Sequence, residues 1–482
     1  KYLEIYDPKA MHHILVKDQV IYEETSSFLA QNEVMFGRGL TSTQGEPHKK
    51  QRKILNPVFS IAHIRNMIPV FSDVAKEIEK AIKSKLVQTQ GAQEVNQSSM
   101  TIHLNLVDIL YWMSWAALEM IGQSSFGYSF DPLVKGTKPH PFCDAIKAFS
   151  TNTTKMALEI EYLLPIIIKI GSPRFRRWLV DHFPSRRLRA IRDMVDTWNR
   201  TTTRIFEEKK RALMEGDEAL VNQVRQGKDL LTILMRKNME ASEEDKMPDK
   251  EVLAHMMVLI FAATDTTSSA LSRTLHLLSL HPEVQERLRA EVTEARKAHN
   301  GDLSYDDLVS LPFLDAICRE TLRLHAPVPK VARVPRQDIV LPLLTSIKGN
   351  DGREMNSILV PKNTKIFIDI LNANRDTLLW GPDSLEWKPE RWLKPLPEAL
   401  CEARIPGIYS HLLTFLGGGR ACIGFKFSQL EMKVVLSTLI SQFRFFPPRK
   451  EIVWQMGGIT TPTLKDFPEV PQLPLVVELV KA

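Results

Sequence analysis

The chain has 482 residues, 44% of them hydrophobic, which is ample for a large core. Its 63 Lys and Arg against 57 Asp and Glu leave a net charge of +6; so mild an excess fits an anionic membrane surface or an acidic protein partner, and no nucleic-acid motif accompanies it. Four cysteines, Cys143, Cys318, Cys401 and Cys422, are too few and too scattered for a disulfide framework or a C-x-x-C zinc site, so reduced thiols facing a cytosolic environment are expected.

Length alone would suggest about three domains, but no Pro/Gly/Ser-rich linker, low-complexity block or fixed-period repeat divides the chain, and one domain over residues 1–482 is expected. No apolar run reaches the roughly 18 residues of a membrane span. Tyr2 to Leu15 reads as a strand followed by a helix, as if an upstream portion were missing. Next, His48 and Arg52 stand four apart within the segment Phe36 to Phe59, so on a helix they share a face and both reach an anionic oxygen. Between about 156 and 192, Leu163, Leu164, Ile166, Ile167 and Ile168 precede Phe175, Trp178 and a run of arginines. Basic residues interleaved with aromatics suit an anionic membrane surface, with a solvated helix face as the competing account.

From Pro248 to Pro282 the periodicity is helical without an interior breaker, with Asp249 as the expected cap. About 30 residues at 1.5 Å each make a rod near 45 Å. In its middle stand Ala262, Ala263, Thr264, Asp265, Thr266 and Thr267; an acid and three hydroxyls are costly in an apolar helix unless they are used or solvated. A second helix is expected over Leu311 to His325, with Glu320 and Arg323 three apart on one face. A strand follows at Lys365 to Asp369, and Trp387 to Trp392 contains P-E-R-W in a loop. Finally Phe415 to Gly424 reads F-x-x-G-x-R-x-C-x-G ahead of a run to Ile440 that is apolar at helical spacing. Cys422 therefore falls at the positive end of a helix dipole, which favours thiolate. Gly418 can take a positive φ, Gly424 permits close backbone approach, and Arg420 offers a planar fork to a carboxylate.

These motifs, in this order, resemble the cytochrome P450 superfamily, with a eukaryotic and fungal flavour. The resemblance implies a mainly α fold with a small β-sheet region, haem b held through Cys422 as the axial iron ligand, and Phe415, Gly418 and Gly424 shaping the ligand loop. It implies propionate contacts from His48, Arg52, Arg333 and Arg420, and a structural triad of Glu320, Arg323 and Arg391 behind the haem. Thr266 and Asp265 would be the catalytic pair, delivering protons to oxygen; Ala263 departs from the commoner glycine and bears on coupling. Phe261, Ala262, Val331 and Thr460 would line a site for a lipophilic substrate.

With no nicotinamide or flavin fingerprint in the chain, the electrons would come from NADPH-cytochrome P450 reductase, with cytochrome b5 as a further donor. Lys49, Lys50, Lys53 and Lys426 would offer a basic docking face. Membrane-bound members of the superfamily carry an anchor and first helix ahead of a segment like Tyr2 to Leu15, which implies an endoplasmic reticulum membrane location with the catalytic part facing the cytosol. The function expected is insertion of one atom of O2 into a lipophilic small molecule of secondary metabolism. A haem-thiolate isomerase or dehydratase and a non-catalytic haem sensor are the alternatives.

Overall fold

The computed structural model describes residues 2–94, 105–131, 133, 142, 149, 152–215, 229–240, 242, 246–299 and 301–480; Cys143 lies outside them. Helices dominate, and the longest runs through the middle, Asp249–Leu280, 32 residues. Its cap position is Pro248, so Asp249 begins the helix one residue inside its expected place, and its carboxylate meets Lys210 at 2.5 Å. Contrary to the expectation from the sequence, this helix is long and apolar enough to cross a membrane by length and composition. Yet 67% of its most apolar stretch is buried, which makes it the core rod of the fold. It packs along Ile109–Ile121, a helix that is mostly apolar and buried along most of its length, and touches Pro312–Leu324 and Phe425–Gln442. Trp198, Phe71, Phe126 and Phe206 are among the large side chains sealed between the helices, where apolar burial contributes about 25 cal/mol per Å².

The strands are short and peripheral. Tyr2–Ile5 pairs in parallel with Lys365–Asp369, which pairs antiparallel with Lys330–Pro335, and that strand with Tyr22–Glu23. Alternation is visible in Lys365–Asp369, whose Ile366 and Ile368 face the core. This sheet matters to the site for two reasons. It fixes Arg333 opposite Ile366, and it brings Glu24, next after the Tyr22–Glu23 strand, beside that arginine. Two three-stranded sheets and the hairpin Ile339–Lys348 with Glu354–Val360 complete the β-region.

The basic and aromatic stretch forms the helices Leu164–Ile167 and Pro173–His182 and the start of Arg186–Glu215. Leu163, Ile166, Ile167, Phe175 and Trp178 are 43–61% exposed. Arg177 is neutralised by Asp181 and Asp196, so the apolar surface is the stronger feature of the patch.

Candidate active site

The loop that carries the cysteine is closed by its own backbone: Cys422 N–H donates to the Phe415 carbonyl at 2.9 Å. Gly418 has φ +66°, and a Cβ there would lie 1.8 Å from the Leu15 carbonyl oxygen, so only glycine fits. The neighbouring Gly419 N–H is held by Gln19 Oε1 at 2.8 Å. Gly424 differs from expectation, because a Cβ there would meet no protein atom within 4 Å; no protein neighbour explains that glycine. It caps the helix Phe425–Gln442, which places Cys422 just outside the helix. The Cys422 side chain is open on one side of the loop, yet protein atoms crowd around it, and that burial raises its pKa. The Gly424 N–H and the Arg52 charge act the other way. In the protein alone burial outweighs the expected thiolate preference; a metal cation would reverse that balance.

The helix Gly45–Leu55 delivers His48 and Arg52 to one face. Arg52 donates to Asn56 Oδ1 at 2.9 Å and to the Ala421 carbonyl at 2.6 Å, so it reaches the residue before the cysteine. His48 is buried, and desolvation together with Arg420 and Arg52 lowers its pKa to about 4, leaving it neutral. Arg420 donates to the carbonyls of Leu40 and Thr43 and meets Glu24 at 3.2 Å; Arg333 meets the same carboxylate at 3.4 Å. Two guanidiniums thus share one carboxylate, with Arg52 close by, in a partly dry place where burial first, and then repulsion from Arg333 and Arg52, depresses the pKa of Arg420. Such an excess of fixed cations fits a group bearing two carboxylates, and the donor set of one sulfur beside it fits a haem.

Behind the loop, Glu320 and Arg323 on the helix Pro312–Leu324 are fully buried. They form a bidentate pair at 2.8 Å through both carboxylate oxygens. Arg391 lies 3.4 Å from Glu320 and closer, 2.9 Å, to Asp383. The expected triad is therefore a larger network, in which Glu320 also accepts from Lys388 N–H and Trp392 Nε1. It reaches the cysteine loop in two steps: Arg323 donates to the Asn374 carbonyl, and Asn374 Oδ1 accepts from Leu413 N–H. Glu24, Asp383 and Asn374 were not singled out in the sequence, because no spacing links them to a motif; Trp392 stood in P-E-R-W, but its bond to Glu320 was not foreseen.

On the long helix, Thr266 donates to the Ala262 carbonyl at 2.7 Å, an ordinary bond to the preceding turn that leaves its oxygen free to accept. Asp265 faces a different direction, as adjacent helical residues do. Its carboxyl is buried, one oxygen lacks any protein partner, and desolvation raises its pKa to about 7. It opens on a polar cavity of about 50 Å³ shared with Tyr111, Ser114, Ser268, Ser269 and Thr460, room for a water or two. Ala262 is exposed although its helix is central. Phe261 instead packs against Phe36, Phe149 and Trp198. Thr460 is tied to Ser269, and Val331 is half-buried in its strand.

The cytochrome P450 family model matches residues 2–467. The chain belongs to the cytochrome P450 family. Cytochrome P450 monooxygenase 91 of Postia placenta is 49% identical over all of this chain and 85% of its own length. A ganoderic acid synthetase of Ganoderma lucidum is 42% identical over 99% of this chain and 85% of its own. A cytochrome P450 monooxygenase of Hericium erinaceus is 37% identical over 95% and 81%. As a P450, the protein is a haem-thiolate monooxygenase that uses haem b, O2, a lipophilic substrate and electrons from a redox-partner reductase. Eukaryotic members of this family are often membrane-associated.

Proposed function

We propose that this P450 holds haem b through Cys422, with His48, Arg52, Arg333 and Arg420 meeting its carboxylates, and that Asp265 and Thr266 manage the protons of the reaction. Bound haem with a thiolate ligand supplies dioxygen activation, the sulfur pushing electron density toward O–O cleavage. The protein's own part is positioning and proton access. Asp265 carries the reading: a buried carboxyl with a pKa of about 7 and a free oxygen takes and gives up protons at neutral pH. The polar cavity beside it supplies water from which Oδ2 is recharged. Thr266, with its proton committed to the Ala262 carbonyl, holds water by accepting from it. Cys422 is kept in place by the Glu320 network, which acts structurally through Asn374. An isomerase would have no use for Asp265 in this state.

Electrons come from NADPH-cytochrome P450 reductase, with cytochrome b5 as a further donor. The exposed Lys49 and Lys53, on the helix that carries Arg52, support an acidic flavoprotein docking there. The apolar patch around Ile166 and Trp178 supports contact with the cytosolic surface of the endoplasmic reticulum membrane. Reconstitution with the reductase and labelled O2 tests the reading. Substrate-dependent NADPH oxidation should put one labelled oxygen atom into the product. A product formed without NADPH, or without label, would contradict it.

A further inference from the structure

A second cationic cluster lies away from Cys422. Asp265, Ser269, Arg273 and His276 follow one another at helical spacing and share a face of the long helix. The Arg273 guanidinium carbon sits 4.0 Å over the ring of Trp454, and Trp454 Nε1 donates to His276 Nδ1 at 3.0 Å. One indole therefore fixes both side chains. Because His276 Nδ1 accepts, its proton is on Nε2, a second donor.

Arg375, which donates to the Leu324 carbonyl at 2.8 Å, and His325 act electrostatically on the same place. The carboxylates nearby do not pair with it: Glu320 pairs with Arg323, Asp369 acts on Arg375 while capping the helix it precedes, and Asp265 lies eight residues, about 12 Å, back along the long helix. Among the described residues Arg273 has no carboxylate and no hydrogen-bond acceptor. Burial and then Arg375 pull its pKa down to about 9, the mark of a cation held without a counter-charge. None of the groups acting on it belongs to the Arg52, Arg333 and Arg420 cluster.

The cluster also adjoins the expected substrate wall. One turn before Arg273, Ser269 Oγ donates to the Thr460 carbonyl at 2.7 Å, and Thr460 N–H donates to the Pro327 carbonyl at 2.8 Å. Thr460, expected to line the substrate site, is thus fastened to the helix one turn before the guanidinium, and through it the Pro327 carbonyl, four residues before Val331. We infer that Arg273, held flat by Trp454 and flanked by His276, is a carboxylate-recognition subsite, and that the lipophilic substrate of this enzyme carries a carboxylate. A carboxylate that meets both arms of its planar fork is the strongest partner such a half-buried cation can find. The inference rests on the monooxygenase reading of the neighbouring site and adds the chemistry of the substrate.

Calorimetric titration of the purified haem-bound enzyme tests it, with lauric, palmitic and lithocholic acids against their methyl esters. At least one acid should bind about tenfold or more tightly than its ester, and Arg273→Gln should abolish that preference while leaving ester affinity unchanged. Equal binding of acids and esters, or a preference that survives in Arg273→Gln, would overturn the proposal. So would acetate binding as tightly as the long acids, which would mark a small-anion pocket with no role for the apolar wall. Should Arg273→Gln fail to fold, Arg273→Lys, which keeps the charge and loses the fork, should reduce the preference severalfold; an unchanged preference would again overturn it. The carbon monoxide difference spectrum of the same preparations reports thiolate ligation separately, so a failure of the haem-thiolate reading is distinguishable from a failure of the subsite.

Discussion

Asp265 shows how a single side chain links stability to function. Its folded pKa of about 7 lies above the ordinary carboxylate range because burial penalises the charge. The folded protein therefore binds a proton that the unfolded chain releases, and stability falls as pH rises from near 4 to about 7. Asp265→Asn should stabilise the protein relative to wild type above pH 7, by up to ~4 kcal/mol, with the gain vanishing toward pH 4. The same variant should turn over roughly tenfold or more slowly, since a positioned proton donor is worth at least that much. Melting temperatures at two pH values and NADPH-driven rates check both halves. The sequence made Asp265 conspicuous as an acid in an apolar helix. It could not reveal the cavity beside it, which is built from Tyr111 and Thr460, far away in the chain.

At the scale of elements, the brace behind the cysteine loop is the feature to probe. Glu320→Gln leaves Arg323 buried without its counter-charge, which costs on the order of 3–5 kcal/mol. Trp392→Phe removes one neutral donor to the same carboxylate and should cost about 1 kcal/mol. Denaturant unfolding of the two variants should give that order; equal losses would mean that the indole matters by packing and that the charge pair is not dominant. The E-x-x-R spacing made the pair legible, since residues three apart share a helix face. Arg391 was legible as a partner, but its closer contact with Asp383 was not, because loop geometry sets it. Helix limits were read to within a residue or two for the same reason that caps were misplaced: Pro248 and Asp249 both suit a helix start, and only the backbone decides between them.

For the whole molecule, the order of motifs identified the fold, while the distribution of charge and apolar surface points to its surroundings. Charge reversal at Lys49 and Lys53 should slow reduction by NADPH and reductase severalfold, with a weaker dependence on salt, and leave peroxide-driven turnover intact. Equal loss in both assays would place the damage in the site and not at the docking face. The hydropathy of the long helix illustrates a limit of sequence reading at this scale. Its 32 residues pass for a membrane span by composition, and only its burial between helices makes it a core element.

The central claim is that Cys422 supplies the sulfur ligand to the haem iron. The carbon monoxide difference spectrum of the reduced protein, recorded for wild type and Cys422→Ser, tests it most directly. Wild type should show the red-shifted band of thiolate ligation and the variant should lose it; a variant that keeps the band, or a wild type without it despite bound haem, would contradict the account.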